Sequence, residues 1–115
     1  MTSSAIDRPT FEELRTTTGE DFVDELVDTF LSEAPEMLAD LRKAFDDGSA
    51  ERFRRAAHSL KSNANTFGAT VLGKLARELE LGGLPLAGEG AGAPIEALDR
   101  EYARVAEALA ELKRA

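Results

Sequence analysis

Apolar residues recur three and four positions apart along almost the whole chain. That period suits helices and leaves no convincing strand. Between Glu20 and Phe45 the apolar positions are Phe22, Val23, Leu26, Val27, Phe30, Ala34, Met37, Leu38, Leu41 and Phe45. A second run holds Phe53, Ala56, Ala57, Leu60, Ala64 and Phe67, and a third holds Leu72, Leu75, Ala76 and Leu79. The last, Ile95, Leu98, Tyr102, Val105, Leu109 and Leu112, alternates by three and four as a bundle seam does. Four long amphipathic units with short connections predict an all-α fold. The expected architecture is an antiparallel four-helix bundle with a short extra N-terminal helix over one end.

Helix punctuation sets the boundaries. Residues 1–8 read as a flexible N-terminus, and 9–115 as one helical domain. Thr10 can cap a short helix through about Thr17, with Phe11 and Leu14 turned inward and Glu12 and Glu13 in its first turn. Gly19 ends it. Pro35 interrupts the long unit and Ser32 can cap a new segment, which predicts a kink or two abutting helices. Gly48 is a candidate C-cap and Ser49 a candidate N-cap. The next helix runs to about Thr66, Gly68 breaks the chain, and a further helix covers about Ala69 to Leu81. Residues 82–94 carry five glycines and two prolines and read as a flexible loop. The last helix begins near Pro94.

Composition narrows the class. The chain has 115 residues, enough for one domain with a real core, and 43% of them are hydrophobic, too many for a disordered chain. With no cysteine there is no disulfide framework and no thiolate chemistry, which suits a reducing cytoplasm. No signal peptide is visible at the start, and no run approaches the ~20 apolar residues of a membrane span. A net charge of −8 and an aromatic content of 6% argue against nucleic-acid binding. One histidine and no calcium-type Asp/Asn ladder make a dedicated metal site improbable.

That one histidine lies off the apolar stripe of its own helix. At about 100° per residue, His58 sits roughly 150° from the centre of the Phe53–Phe67 stripe, so it faces solvent. Arg54, Arg55, Lys61, Ser62 and Asn65 share its side of the helix. Residues 51–68 carry a net charge of +3, leaving −11 for the rest. A solvated basic face is the bland explanation. An exposed imidazole inside a positive island on an acidic protein points instead to the handling of an anion.

The stretch Ala57-His58-Ser59-Leu60-Lys61-Ser62-Asn63-Ala64-Asn65-Thr66-Phe67-Gly68-Ala69 resembles the signature of histidine-containing phosphotransfer domains. His58, Leu60, Lys61, Gly68 and Ala69 fall in register with it. Ser62 stands where glycine is usual, and Asn63 where serine is usual. Both replacements are small and polar, so neither removes the chemistry.

The resemblance implies a phosphorelay intermediate. His58 would take a phosphoryl group from a receiver-domain aspartate and pass it to another receiver, without catalytic turnover of its own. A free histidine has a pKa of about 6.5, so a neutral nucleophile exists at pH 7. Lys61 and Ser62, each one turn from His58, are expected to stabilise the phosphate. Arg54, Arg55 and Asn65 are expected to line the docking surface, the two arginines facing either the phosphate or the partner's acidic pocket, while Leu60, Gly68 and Ala69 serve the scaffold. Asn63, at the edge of the core stripe, is expected to bond across helices. Glu80 falls where some relatives carry glutamine, and its charge near His58 would oppose phosphate. The implied partners are response-regulator receivers and a hybrid sensor histidine kinase, with Mg2+ brought by the receiver and no cofactor bound by this chain. A cytoplasmic monomer is expected, and the flexible start at Met1 to Arg8 and the early Met favour a free-standing chain. The alternative is a helical interaction module without phosphotransfer. A kinase dimerisation domain fits less well, because Ser-Leu-Lys follows His58 where an acidic residue would be expected.

Overall fold

The computed structural model describes residues 5–84 and 92–114, with side chains through 112. It contains five helices among these residues: α1 (Arg8–Thr18), α2 (Glu20–Asp47), α3 (Ala50–Thr66), α4 (Thr70–Gly82) and α5 (Ala93–Arg114). No described helix is long and apolar enough to cross a membrane. Helix α3 packs against both α2 and α4, α5 packs against α4 and α2, and α1 packs against α2. Each helix turns its periodic apolar stripe to a common core. Phe11, Leu41, Phe53, Leu60, Leu72, Leu98 and Leu109 are all fully buried there. Full burial of one such leucine is worth about 1.5–3 kcal/mol, so the shared stripe holds the helices together. Phe22 departs from the expected pattern. It belongs to the α2 stripe by spacing but is half exposed in the first turn of the helix.

The chain start is more ordered than its composition implies. Ala5 and Ile6 are buried, and the Asp7 backbone N–H donates to the Gly68 carbonyl at 2.7 Å. Residues 5–8 are therefore tied to the α3–α4 corner, in contrast to the flexible segment expected over 1–8; residues 1–4 lie outside the described residues. The N-cap of α1 is Asp7 and not Thr10: the Asp7 carboxylate accepts from the Thr10 N–H, and Pro9 occupies the first turn where its missing N–H costs nothing. The 82–94 loop falls partly outside the described residues, with Gly82 closing α4 and Ala93 opening α5.

Pro35 does not divide α2. The helix runs unbroken through it for 28 residues, and Ser32 caps no new segment. A proline within a helix removes one i→i−4 hydrogen bond, here the one that the Leu31 carbonyl would have accepted. The Tyr102 hydroxyl reaches that same carbonyl from α5 at 3.5 Å. Burial raises the Tyr102 phenol above its ordinary pKa. Its ring also meets Phe30 edge-on, with centroids 6.0 Å apart. Tyr102→Phe keeps the ring and removes the donor, so we expect a loss of about 0.5–1 kcal/mol in urea unfolding. An unchanged unfolding midpoint would mean that the Leu31 carbonyl gains nothing from the contact.

Candidate functional site

Helix α3 begins at Ser49, whose side chain accepts from the Arg52 N–H at 3.4 Å. Phe53, Ala57, Leu60 and Ala64 anchor its inner face. That anchoring fixes the rotation of the helix and leaves His58 on the outside, with 57% of its side chain exposed. Helix α4 runs alongside and buries Ala76 and Leu79. Glu80, next to Leu79, is thereby carried to the edge of α3.

The Glu80 carboxylate uses both of its oxygens. Oε2 lies 2.7 Å from His58 Nδ1, and Oε1 lies 2.9 Å from Lys61 Nζ. Glu80 is largely covered, with 17% of its side chain exposed. The Lys61 ammonium, and after it the His58 ring, hold its pKa below the ordinary carboxylate value, against the opposing effect of burial. Glu80 is therefore an anion at neutral pH and can only accept hydrogen bonds. His58 Nδ1 must then carry the proton in this contact, which leaves the lone pair of the neutral ring on Nε2.

This geometry changes two expectations. The Glu80 charge was expected to oppose phosphate, yet it sits at the ring nitrogen away from the lone pair and is balanced by Lys61. Lys61 was expected to reach towards phosphate, but its ammonium is committed to Glu80 and its side chain is only 23% exposed. Ser62 is exposed on the following turn. Asn63 bonds within its own helix, donating to the Ser59 carbonyl at 2.8 Å, and not across helices as expected. Its amide is one turn from that carbonyl and bonds it locally. Asn65 is exposed and lies across Gly73 of α4, where a β-carbon would collide with its amide oxygen. Gly68, at φ +82°, is buried at the α3–α4 corner beside Ala69, and Leu60 is in the core.

The basic residues are less available than their number implies. Arg52 pairs with Asp47 at 2.6 Å, and Arg55 pairs with Glu51 at 3.0 Å. Arg54 makes no ion pair among the described residues. A shallow cleft beside the imidazole is lined by Glu51, Arg54, Arg55, His58 and Glu80. A larger groove between α2 and α3 is lined by the apolar Met37 and Ala56 together with Asp40, Lys43, Arg52 and Arg55. The place of Glu51 at the cleft was not anticipated, although a glutamate four residues before an arginine on a helix is a readable ion-pair signal. Among the described residues, no group of three or more histidine, aspartate or glutamate side chains is placed to hold a metal ion.

Comparison with known proteins bears on the fold and the family. The crystal structure of histidine-containing phosphotransfer protein B (HptB) from Pseudomonas aeruginosa PAO1 superposes with a TM-score of 0.88. The two share 29% identity, over 98% of this chain and 97% of that one. No curated protein matches by sequence. The family model described as the Hpt domain matches residues 25–115, which include the whole of α3 and α4 and therefore both His58 and Glu80. The chain belongs to the Hpt domain family.

Proposed function

We propose that this protein is a phosphorelay intermediate of two-component signalling, with His58 as its phosphoacceptor. The observation that carries the reading is the exposed imidazole whose Nδ1 faces an ionised carboxylate. Helices α2–α5 form an antiparallel four-helix bundle in this reading, with α1 across one end; the closed circuit of contacts from α2 through α5 supports it. Such a bundle presents the ring on a rigid helix face, where a phosphoryl donor in another protein can approach it.

The transfer needs little from the chain beyond position and charge. Nε2 attacks the phosphorus of a receiver's aspartyl phosphate. The Nε2–P bond forms, the P–O bond to the aspartate breaks, and the carboxylate leaves as an anion. The Nδ1 proton stays in place, so the ring becomes a phosphoimidazolium whose positive charge lies against Glu80. Transfer to a second receiver reverses these steps, and the same proton again remains on Nδ1. Glu80 holds the tautomer throughout, and Lys61 offsets its charge so that an incoming phosphoryl group meets a near-neutral pair. Receiver domains and a hybrid sensor kinase are the partners, Mg2+ comes with the receiver, and the chain works as a cytoplasmic monomer without turnover of its own. The docking face is centred on His58, with Arg54, Arg55, Ser62 and Asn65 around it and the α2–α3 groove beside it.

The test is to mix the protein with a phosphorylated receiver. Label should appear on this chain in a base-stable, acid-labile form, and a second receiver should then remove it. Correlated 31P and 15N spectra should place the phosphorus on Nε2. No label with any cognate receiver would leave a helical interaction module. A signal on Nδ1 would overturn the role given to Glu80.

A further inference from the structure

We propose that the Arg54 guanidinium is the counter-ion of the phosphoryl group on His58, a proposal that rests on the phosphoacceptor reading above. A side chain on a helix leans towards the N-terminus and covers the turn before its own α-carbon. The His58 ring therefore lies over the turn of Arg54 and Arg55 and away from that of Ser62. The cleft beside the ring is consistent with this, because Arg54 and Arg55 line it and neither Lys61 nor Ser62 does.

Three cations lie within a turn of His58, and their existing partners distinguish them. Lys61 is held on Glu80 at 2.9 Å, on the Nδ1 side of the ring. Arg55 is held on Glu51 at 3.0 Å. Arg54, exposed and four residues before His58, makes no ion pair among the described residues. The phosphoryl group on Nε2 carries two negative charges, only one of them offset by the imidazolium, into a cleft that already holds Glu51 and Glu80. Recruiting Lys61 or Arg55 would break an existing ion pair, whereas recruiting Arg54 breaks none. Guanidinium also suits the task, since its planar fork can give two hydrogen bonds to phosphate oxygens. Arg54 thus acts on the phosphorylated state and sets how phosphate partitions between this chain and its receiver.

The experiment separates this inference from the reading beneath it. Wild type, Arg54→Ala, Arg54→Lys and Arg55→Ala are first loaded with phosphoramidate, a small donor that needs no receiver. In that reaction the Nε2–P bond forms and the P–N bond of the donor breaks, releasing ammonia. Failure of the wild type to form phosphohistidine would remove the phosphoacceptor reading itself. With loading established, the 31P resonance of wild type should shift between low and high salt, and that of Arg54→Ala should not. Mixed with a receiver, Arg54→Ala should hold about fivefold less phosphate at equilibrium than wild type, an effect in the range of an exposed ion pair with a doubly charged group. Arg54→Lys should recover part of the loss, and Arg55→Ala, which removes a residue of the docking face but not the counter-ion, should lose less phosphate than Arg54→Ala and keep the wild-type salt response of the 31P resonance. Equal partitioning by Arg54→Ala and wild type would overturn the proposal. So would a larger loss in Arg55→Ala, which would assign the counter-ion to Arg55.

Discussion

His58→Gln is expected to abolish phosphate acceptance while leaving the fold unchanged. The chain contains one histidine, so no second imidazole can substitute. The position is more than half exposed, and exposed substitutions usually move stability by only about 0.5 kcal/mol. Glutamine is also the informative replacement. Its amide can donate to Glu80 much as Nδ1–H does, so the Glu80–Lys61 pair keeps its third partner. What it lacks is a nucleophilic nitrogen, because the amide lone pair is delocalised into the carbonyl. The mutant should show wild-type helicity and unfolding midpoint, and no base-stable label after incubation with a phosphorylated receiver. Label retained on the mutant would place the phosphoacceptor elsewhere.

The largest stability change is expected at Gly68. Its φ of +82° is a left-handed conformation, which costs an alanine roughly 1–2 kcal/mol. A β-carbon there would also lie 2.9 Å from the Asp7 carbonyl oxygen and 3.0 Å from Thr10 Cβ. The first of these is backbone and cannot swing aside. Relief requires the Asp7 segment to move, which disturbs the Asp7 N–H to Gly68 carbonyl bond and the burial of Ile6. Together these effects predict a loss of about 2–4 kcal/mol for Gly68→Ala. Gly48 is the matched control, with φ +73° and nothing near its missing β-carbon, so Gly48→Ala should cost only the backbone share, about 1–2 kcal/mol. Urea unfolding of the two mutants measures the difference. Equal losses would show that the chain start adds nothing to the stability of the α3–α4 corner.

Both predictions concern residues that the sequence marks, but with different completeness. His58 was readable as exposed because exposure on a helix follows from local spacing alone. The stripe of Phe53, Ala57, Leu60 and Ala64 decides which way α3 faces, whatever the rest of the chain does. Gly68 was readable as a helix stop. That it also receives the chain start was not readable, because its partner Asp7 is 61 positions away and shares no periodic pattern with it.

Helix number, helix type and the outward face of the histidine were determined by the sequence itself, since periodicity and caps act within a few residues. Only the tertiary structure decided which charges meet. Glu80 is 22 residues from His58, and its approach depends on α4 packing along α3 with Leu79 and Ala76 buried. That same approach draws Lys61 onto Glu80 and leaves Arg54 as the cation of the cleft with no ion pair among the described residues. The course of α2 through Pro35 was likewise a tertiary matter, because the hydroxyl facing the vacated Leu31 carbonyl comes from α5. Apolar burial tolerates many pairings and is legible as a pattern. An ion pair needs two named atoms within about 3 Å, and the distance between them is set by the fold.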